Sequence, residues 1–324
     1  MNAPERRANP PAASRAGKVT LAAMLIAAAA AILFSSKSIF IKLAYAVPGL
    51  PGAAPVDAVT LLGLRMLLAL PFFLAVGAWA GRRENSQPVS GRDSLAILGL
   101  GFLGYYLSSY LDFIGLKYIS ASLERLILYL YPTFTVLFSA LLYRRVITGR
   151  MVVALAVCYA GVGLVFGHDL LGASQRGEVW TGGAFVAASA MTYALYLVTG
   201  TEVIARVGAT RFTAYAMTVS SIICIAQFLV LNPLSHLRLP FEVFGYGALL
   251  AMVSTVLPSF LTAMALKQLG ASNVALFGAV GPISTIALGA WLLGERINAW
   301  QIAGALLVIV GVLTITIRPT ATPD

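Results

Sequence analysis

Residues 116–142 read LKYISASLERLILYLYPTFTVLFSALL, and residues 266–292 read LKQLGASNVALFGAVGPISTIALGAWL. At a fixed offset of 150 residues Leu116-Lys117 meets Leu266-Lys267, and Ala121-Ser122 meets Ala271-Ser272. Leu126, Pro132, Thr135, Ala140, Leu142, Ile147, Gly161 and Val162 then meet Leu276, Pro282, Thr285, Ala290, Leu292, Ile297, Gly311 and Val312 without a gap. Runs of Leu and Ala produce chance matches, but shared Lys, Pro and Gly at one offset are harder to obtain by accident. The chain therefore reads as two related halves.

The composition names the solvent around those halves. The chain has 324 residues, 59% hydrophobic and 10% charged, with a mean hydropathy of +0.88. A soluble domain carries roughly 25% charged residues, so this chain lacks the charge to clothe a water-facing surface. A spanning helix takes about 20 mostly apolar residues. The apolar runs predict spans at 20–45, 57–80, 94–116, 121–142, 151–167, 180–203, 211–231, 243–266, 271–293 and 299–317. Linkers marked by Gly, Pro and polar residues lie at Pro48–Pro55, Arg82–Asp93, Gly167–Glu178 and Asn232–Pro240. A cleaved leader ending near Ala27–Ala31 is the competing reading of the first run. It is disfavoured because the apolar character continues to Tyr45 and further spans follow.

Charge placement orients the chain. With the N-terminus inside, the inner segments hold Arg6, Arg7, Arg15, Lys18, Arg82, Arg83, Arg92, Arg144, Arg145, Arg150, Arg206, Arg211, Lys267 and Arg318. The outer loops hold Lys117, Arg176, Arg238 and Arg296. The positive-inside rule thus favours cytoplasmic termini and supports the helix count. The same placement argues against nucleic acid despite a net charge of +10, because no basic face of usable size forms. Cys158 and Cys224 fall in apolar runs and read as small buried hydrophobes.

The expected fold is an all-α membrane protein of ten transmembrane helices arranged as two inverted five-helix repeats. Five is odd, so the second half enters from the opposite face. That is the plan of secondary transporters, with substrate held between the halves. The expected organisation is a disordered cytoplasmic N-terminus (1–18), a first repeat (19–167), a periplasmic linker (168–179), a second repeat (180–318) and a cytoplasmic tail (319–324), in the inner (plasma) membrane.

The stretch GLKYISASLERLILYLYPTF (115–134) resembles the third-to-fourth helix signature of EamA-type transporters of the drug/metabolite transporter superfamily. So do ALKQLGASNV (265–274), Pro282 and LGER (293–296). The resemblance covers nearly the whole chain beyond Lys18. It implies ten helices in two five-helix repeats, and movement of small metabolites, often amino acids or their relatives. One departure is Arg144-Arg145 where the second half has Gly294-Glu295, which reads as a change at a helix end.

Ionisable groups within a bilayer are costly and usually face a cavity or a partner. Here they are Lys37, Lys42, Arg65, Asp112, Glu124 and Arg125, all in the first half. A rise of about 1.5 Å per residue puts Lys37 and Arg65 roughly 12 Å deep, and Asp112 and Glu124 about 5–8 Å deep. Lys37, Arg65, Asp112, Glu124 and Arg125 form one outer layer of three positive and two negative charges, expected to be a paired network with one spare positive charge. The functional reading is a site or gate for a substrate carboxylate or phosphate. The structural alternative is an ion-pair lock between helices, with Lys42 reaching to the interface. Tyr106 and Tyr110 share one helix face, while Tyr105, Ser108 and Asp112 share another. Tyr129, Tyr131, Thr192 and Tyr196 complete the candidate aromatic and hydroxyl lining, which suits an amphipathic solute but fits helix packing equally well.

The candidate site is therefore Lys37, Arg65, Tyr106, Tyr110, Arg125, Tyr129, Thr192 and Tyr196 for substrate, with Asp112, Glu124, Pro132 and Pro282 for ion pairing or gating. Pro132, Pro258 and Pro282 fall within spans, and the matched pair Pro132 and Pro282 reads either as equivalent hinges or as static kinks. GLGFLG (99–104) fits G-x-G-x-x-G, but a dinucleotide site needs that motif between a strand and a helix. Close helix contact explains it better. The expected function is a secondary transporter exporting an amino acid or related solute by alternating access. An organic-anion or sugar-phosphate or nucleotide-sugar exchanger is the alternative, and a polytopic membrane enzyme the alternative of another class. The enzyme is disfavoured because His168 and His236 lie in separate loops without a carboxylate cluster. No catalytic residue, metal or cofactor is expected. The expected partners are a small-molecule substrate, the lipid bilayer and a possible second copy of the chain, with no nucleic acid.

Overall fold

The computed structural model describes residues 21–51, 55–83, 88–144, 146–172, 176–278 and 280–316, and every regular element among them is helical. The segments expected to be a disordered N-terminus and a tail lie outside the described residues. In chain order the helices are α1 (Leu21–Ala46), α2 (Ala58–Arg83), α3 (Gly91–Gly101), α4 (Ser108–Gly115), α5 (Ala121–Leu128), α6 (Tyr131–Tyr143) and α7 (Gly149–Gly172). There follow α8 (Arg176–Val207), α9 (Ala209–Leu231), α10 (Phe241–Ala251), α11 (Leu257–Gly278), α12 (Val280–Leu293) and α13 (Ala299–Thr316). π-Helical segments join α3 to α4 (Phe102–Leu107) and α10 to α11 (Met252–Val256). Among the described residues, 8 helical stretches are long and apolar enough to cross a bilayer, and Val280–Leu293 and Ala299–Thr314 are shorter apolar helices.

Local chemistry explains the helix starts. The Ser90 hydroxyl accepts from Asp93 N and donates to Asp93 Oδ2 at the start of α3. Ser120 caps α5 through Leu123 N. Asn298 and Gln301 bond reciprocally at the start of α13, with Gln301 N donating to Asn298 Oδ1 at 2.7 Å. Such caps satisfy amide donors that have no intrahelical partner.

The 150-residue offset reappears in these boundaries, well outside the matched sequence. α3 begins at 91 and α10 at 241, and the π segments begin at 102 and 252. α5 ends at 128 and α11 at 278, while α6 ends at 143 and α12 at 293. Those last two helices each stop at a residue with positive φ, Arg144 at 52° and Gly294 at 66°. This left-handed position ends the helix at no cost for Gly and at some strain for Arg. The departure of Arg144 from the second half's Gly294 is therefore absorbed at a helix end, as expected.

Three expectations need correction. The predicted break between spans 243–266 and 271–293 is absent: α11 runs through it, and the described helix resumes at Val280. In the first half Ser120 is extended (φ −65°, ψ 156°) and caps a new helix. Position 270 is Gly and offers no side-chain oxygen to do so. Span 121–142 is two pieces, α5 and α6, so Pro132 lies in the first turn of α6, where a missing N–H costs nothing. Pro132 is thus no mid-helix kink, and Pro282 is the third residue of α12. The 168–179 linker is largely helical, because α7 extends to Gly172 and α8 starts at Arg176, so His168 lies in a helix and not in a loop. The π segments, finally, carry no signal in the apolar pattern.

Packing uses glycine at the closest seam. A Cβ added at Gly161 of α7 would stand 2.7 Å from Gly304 O of α13, and one at Gly311 would stand 2.8 Å from Ala154 O. Cys158 Sγ, between them, lies 3.7 Å from Val308 O. Residue numbers rise on α7 as they fall on α13, so the two helices are antiparallel. The contacts are also reciprocal: position 161 is the equivalent of 311, 154 of 304 and 158 of 308. That is the signature of a local two-fold relation. The perimeter is apolar, with Val146, Phe241 and Trp291 largely exposed, whereas Arg65, Asp112, Glu124, Ser35 and Ser38 are buried. Such a distribution suits lipid outside and polar groups within.

The α1–α2 and α9–α10 connections meet at Asp57. Its carboxylate accepts from Val59 N (2.7 Å), Thr60 N (2.9 Å) and Thr60 Oγ1 (2.7 Å), and Asn232 Nδ2 donates to it at 3.0 Å. Partial burial pushes the Asp57 carboxyl up, but the bonds from Thr60 and Val59 and the nearby His236 outweigh this and hold it below its ordinary value. A lowered carboxyl adds stability above its unfolded value, and loses it as pH falls through the folded one. The expected result is that Asp57→Asn melts below wild type at neutral pH, with the gap closing under about pH 4. Thermal scans of both proteins check this; a gap that persists at low pH counts against it.

Candidate functional site

The buried charges converge on α1. This helix presents Ser35, Ser36 and Ser38, all buried, around Lys37. Lys37 Nζ lies 2.6 Å from Asp112 Oδ2 of α4 and 3.8 Å from Glu124 Oε1 of α5. Ser38 Oγ donates to Glu124 Oε2 at 2.6 Å. The side chains of Asp112 and Glu124 are 1% and 0% exposed.

The two arginines stand outside this cluster. Arg125 Nη2 donates to Ser35 Oγ at 3.1 Å, and its guanidinium lies 5.5 Å from the Tyr129 ring centroid. Gly281 of α12 makes room for it, since a Cβ there would stand 2.7 Å from Arg125 Nη2. Arg65 of α2 lies 5.5 Å from the Phe113 ring centroid, with Nε and Nη1 buried and without a hydrogen-bond partner. The expected network with one spare charge is thus, more narrowly, one lysine between two carboxylates, with both arginines free of any carboxylate within 4 Å among the described residues. A buried charge without a counterion is expensive, and its replacement by an apolar group of similar size is often neutral or stabilising. Arg65→Met is therefore expected to melt at or above the wild-type temperature while losing transport. A lower melting temperature with transport retained would make Arg65 structural.

An aromatic and hydroxyl wall lies on the other side of α4. Tyr105 and Tyr196 share a hydroxyl–hydroxyl bond of 2.9 Å, and Ser108 and Ser189 one of 3.0 Å. Tyr106 and Tyr110 stack with ring centroids 6.1 Å apart. The π segment lets Tyr105 turn to α8 while the next residue, Tyr106, turns to Tyr110, and π turns frequently accompany functional sites. Gly104 allows the approach of α8, because a Cβ there would lie 2.2 Å from the Tyr196 ring. Thr192 turns its hydroxyl back to Ser189 O of its own helix. The structure therefore joins Lys37, Asp112 and Glu124 in one cluster, Arg125 and Tyr129 in a second, and Tyr196 with Tyr105 in a third. Thr192 is brought to none of them.

At one end of the bundle lies an open cavity of about 490 Å³, lined by Lys42, Tyr45, Lys117 and Glu295 among others. Lys117 Nζ sits 5.7 Å from the Tyr45 ring centroid. Glu295 is occupied elsewhere: its Oε1 accepts from Ala121 N at 2.9 Å and its Oε2 from Ser122 Oγ at 2.8 Å. An acid from the second half thus caps the helix that carries Glu124 and Arg125. Sequence reasoning singled out the motif containing Glu295 but missed this role, and missed Ser35 and Ser38, because their partners lie far away in the chain. Among the described residues, no group of His, Cys, Asp and Glu could hold a metal ion. His168 lies 3.2 Å from Asp169, and His236 3.4 Å from Asp57, as separate pairs.

Many apolar helices around a charged and hydroxyl-lined interior define a multi-pass membrane protein. The chain belongs to the EamA-like transporter family, whose pattern matches residues 21–167 and 180–317. It is 34% identical over 283 residues to the uncharacterized transporter YcbK of Bacillus subtilis (strain 168), covering 84% of this chain and 86% of the relative. It is 25% identical over 305 residues to the uncharacterized transporter sll1319 of Synechocystis, covering 90% and 92%. A protein of known crystal structure, 19% identical, aligns with a TM-score of 0.59 over 91% of this chain and 96% of its own, a likeness of fold alone.

Proposed function

We propose that this membrane transporter is a secondary carrier that exports a small amphipathic metabolite, an amino acid or a relative, by alternating access between two inverted five-helix halves. The reciprocal antiparallel contact of α7 with α13 carries this reading. These are the fifth helices of the two halves, and they run in opposite senses about Cys158 and Val308. An inverted pair can exchange conformations, and its substrate lies where the halves meet. Arg125, from the first half, rests on Gly281 of the second at that junction.

Both termini are cytoplasmic in this proposal, and the membrane is the inner one. Exposed Trp180, Trp291 and Trp300 near the start of α8, the end of α12 and the start of α13 fit three helix ends that share one interface, and the positive-inside balance makes that interface the outer one. The test is labelling of cysteines introduced at positions 117 and 267. The native Cys158 and Cys224 are buried and give little background. Labelling from opposite compartments is the expected result; the same compartment refutes the inverted plan. A metabolite efflux screen in cells with and without the protein then finds the substrate.

A second reading, an organic-anion or sugar-phosphate exchanger, is favoured by one observation: Lys42 and Lys117 flank the open cavity, and neither has a carboxylate within 4 Å among the described residues. Liposome counterflow separates the two, because exchange requires a trans substrate.

A further inference from the structure

Two buried acids and one partly exposed base share the bundle interior, with side chains 1%, 0% and 17% exposed for Asp112, Glu124 and Lys37. Lys37 touches Asp112 at 2.6 Å and reaches Glu124 at 3.8 Å. Among the described residues, the neighbouring elements supply no second cation within 4 Å of either carboxylate. From α2, Arg65 lies over Phe113. On α5 itself, Arg125 bonds to Ser35. From α1, the Tyr45 hydroxyl donates to Phe113 O. The connection after α12 brings Glu295, which caps α5. From α7, His168 and Asp169 pair with each other. α8 turns Tyr193 toward Tyr131, and α12 and α13 contribute no charged side chain.

Glu124 Oε2 has the Ser38 hydroxyl and Asp112 Oδ2 the Lys37 ammonium, but Glu124 Oε1 and Asp112 Oδ1 have no hydrogen-bond partner. Both carboxyls nevertheless face the same Lys37 ammonium. Like charges this close do not both ionise, and one ammonium neutralises only one of them. We propose that Glu124, beside Asp112 and Lys37, is a proton-binding site in which Glu124 Oε1 holds one exchangeable proton, and that substrate movement is coupled to it. When the proton leaves to water, Lys37 bridges two carboxylates instead of one. Because Lys37 rides on α1, which packs along α11 and α12, the change reaches the second half.

The proton site stands by itself; only the coupling rests on the transport reading. The test is infrared difference spectroscopy of the full-length protein in lipid nanodiscs, following the protonated-carboxyl stretch as pH is varied. Wild type is expected to lose one such band as pH rises, and Glu124→Gln to lack it. Ser38→Ala keeps the band but moves its midpoint to higher pH, because the lost hydroxyl stabilised the carboxylate. No titrating band in wild type, or the same band in Glu124→Gln, overturns the site. Should Glu124→Gln fail to fold, an unmoved midpoint in Ser38→Ala overturns it equally. In proteoliposomes, a pH-sensitive dye is read while the metabolite from the efflux screen moves. Movement without a proton flux overturns the coupling alone, whereas no movement of any metabolite is a failure of the carrier reading and leaves the titration untouched.

Discussion

Lys37→Met is expected to abolish transport and to destabilise the purified protein by about 3–5 kcal/mol, the usual cost of leaving a buried charge without its partner. Asp112 is 1% exposed, and its only contact cation among the described residues is Lys37 Nζ at 2.6 Å. Removing the ammonium leaves that carboxylate to take up a proton or to draw water into the bundle. The double variant Lys37→Met, Asp112→Asn removes both charges and is expected to recover most of the lost melting temperature. Recovery of transport in the double variant would show the pair to be an ion-pair lock. Recovered stability without transport would place it in the carrier's working parts. Melting curves in detergent and uptake into proteoliposomes read the two quantities separately.

Gly161→Leu is expected to be more damaging than any substitution on the lipid-facing side of α7. The nearest atom to a Cβ at 161 is a backbone carbonyl, Gly304 O at 2.7 Å. A side chain can rotate away, but a helix backbone has to translate. Overpacking alone costs typically 1–3 kcal/mol, and here it also opens the seam that joins the two halves. The reciprocal position behaves alike: Gly311→Leu meets Cys158 Sγ and Ala154 O. By contrast Gly163→Leu, with open space around it, is expected to fold as wild type does. Yields of monodisperse protein from the three variants decide the point; equal yields would mean that α7 and α13 do not pack as described.

Much of this molecule was legible before any coordinates. Low charge and long apolar runs dictate helices in lipid, because the bilayer core offers no water to unpaired backbone groups. The repeat was legible at residues 116–162 through Pro, Lys and Gly. Its extension to the helix start at 91 and the π segment at 102 was not, because a helix start and a π turn can be built from different residues in each half. Lys37, Asp112 and Glu124 were legible as a layer, since charge in an apolar run is conspicuous and depth follows from counting residues.

Partners were another matter. Counting residues along a helix gives depth but not azimuth, so it could not tell that Lys37 chooses Asp112 and Glu124 while Arg65 is left with Phe113. Nor could it show that Glu295 caps α5 from far along the chain, or that Tyr105 and not Thr192 meets Tyr196. By itself, then, the amino-acid order determined the solvent, the helical class and which groups are costly to bury, all of which depend on local composition. The tertiary structure alone decided which of those costly groups meet, because a contact between helices depends on how each is rotated about its own axis, and that is set by packing along its whole length.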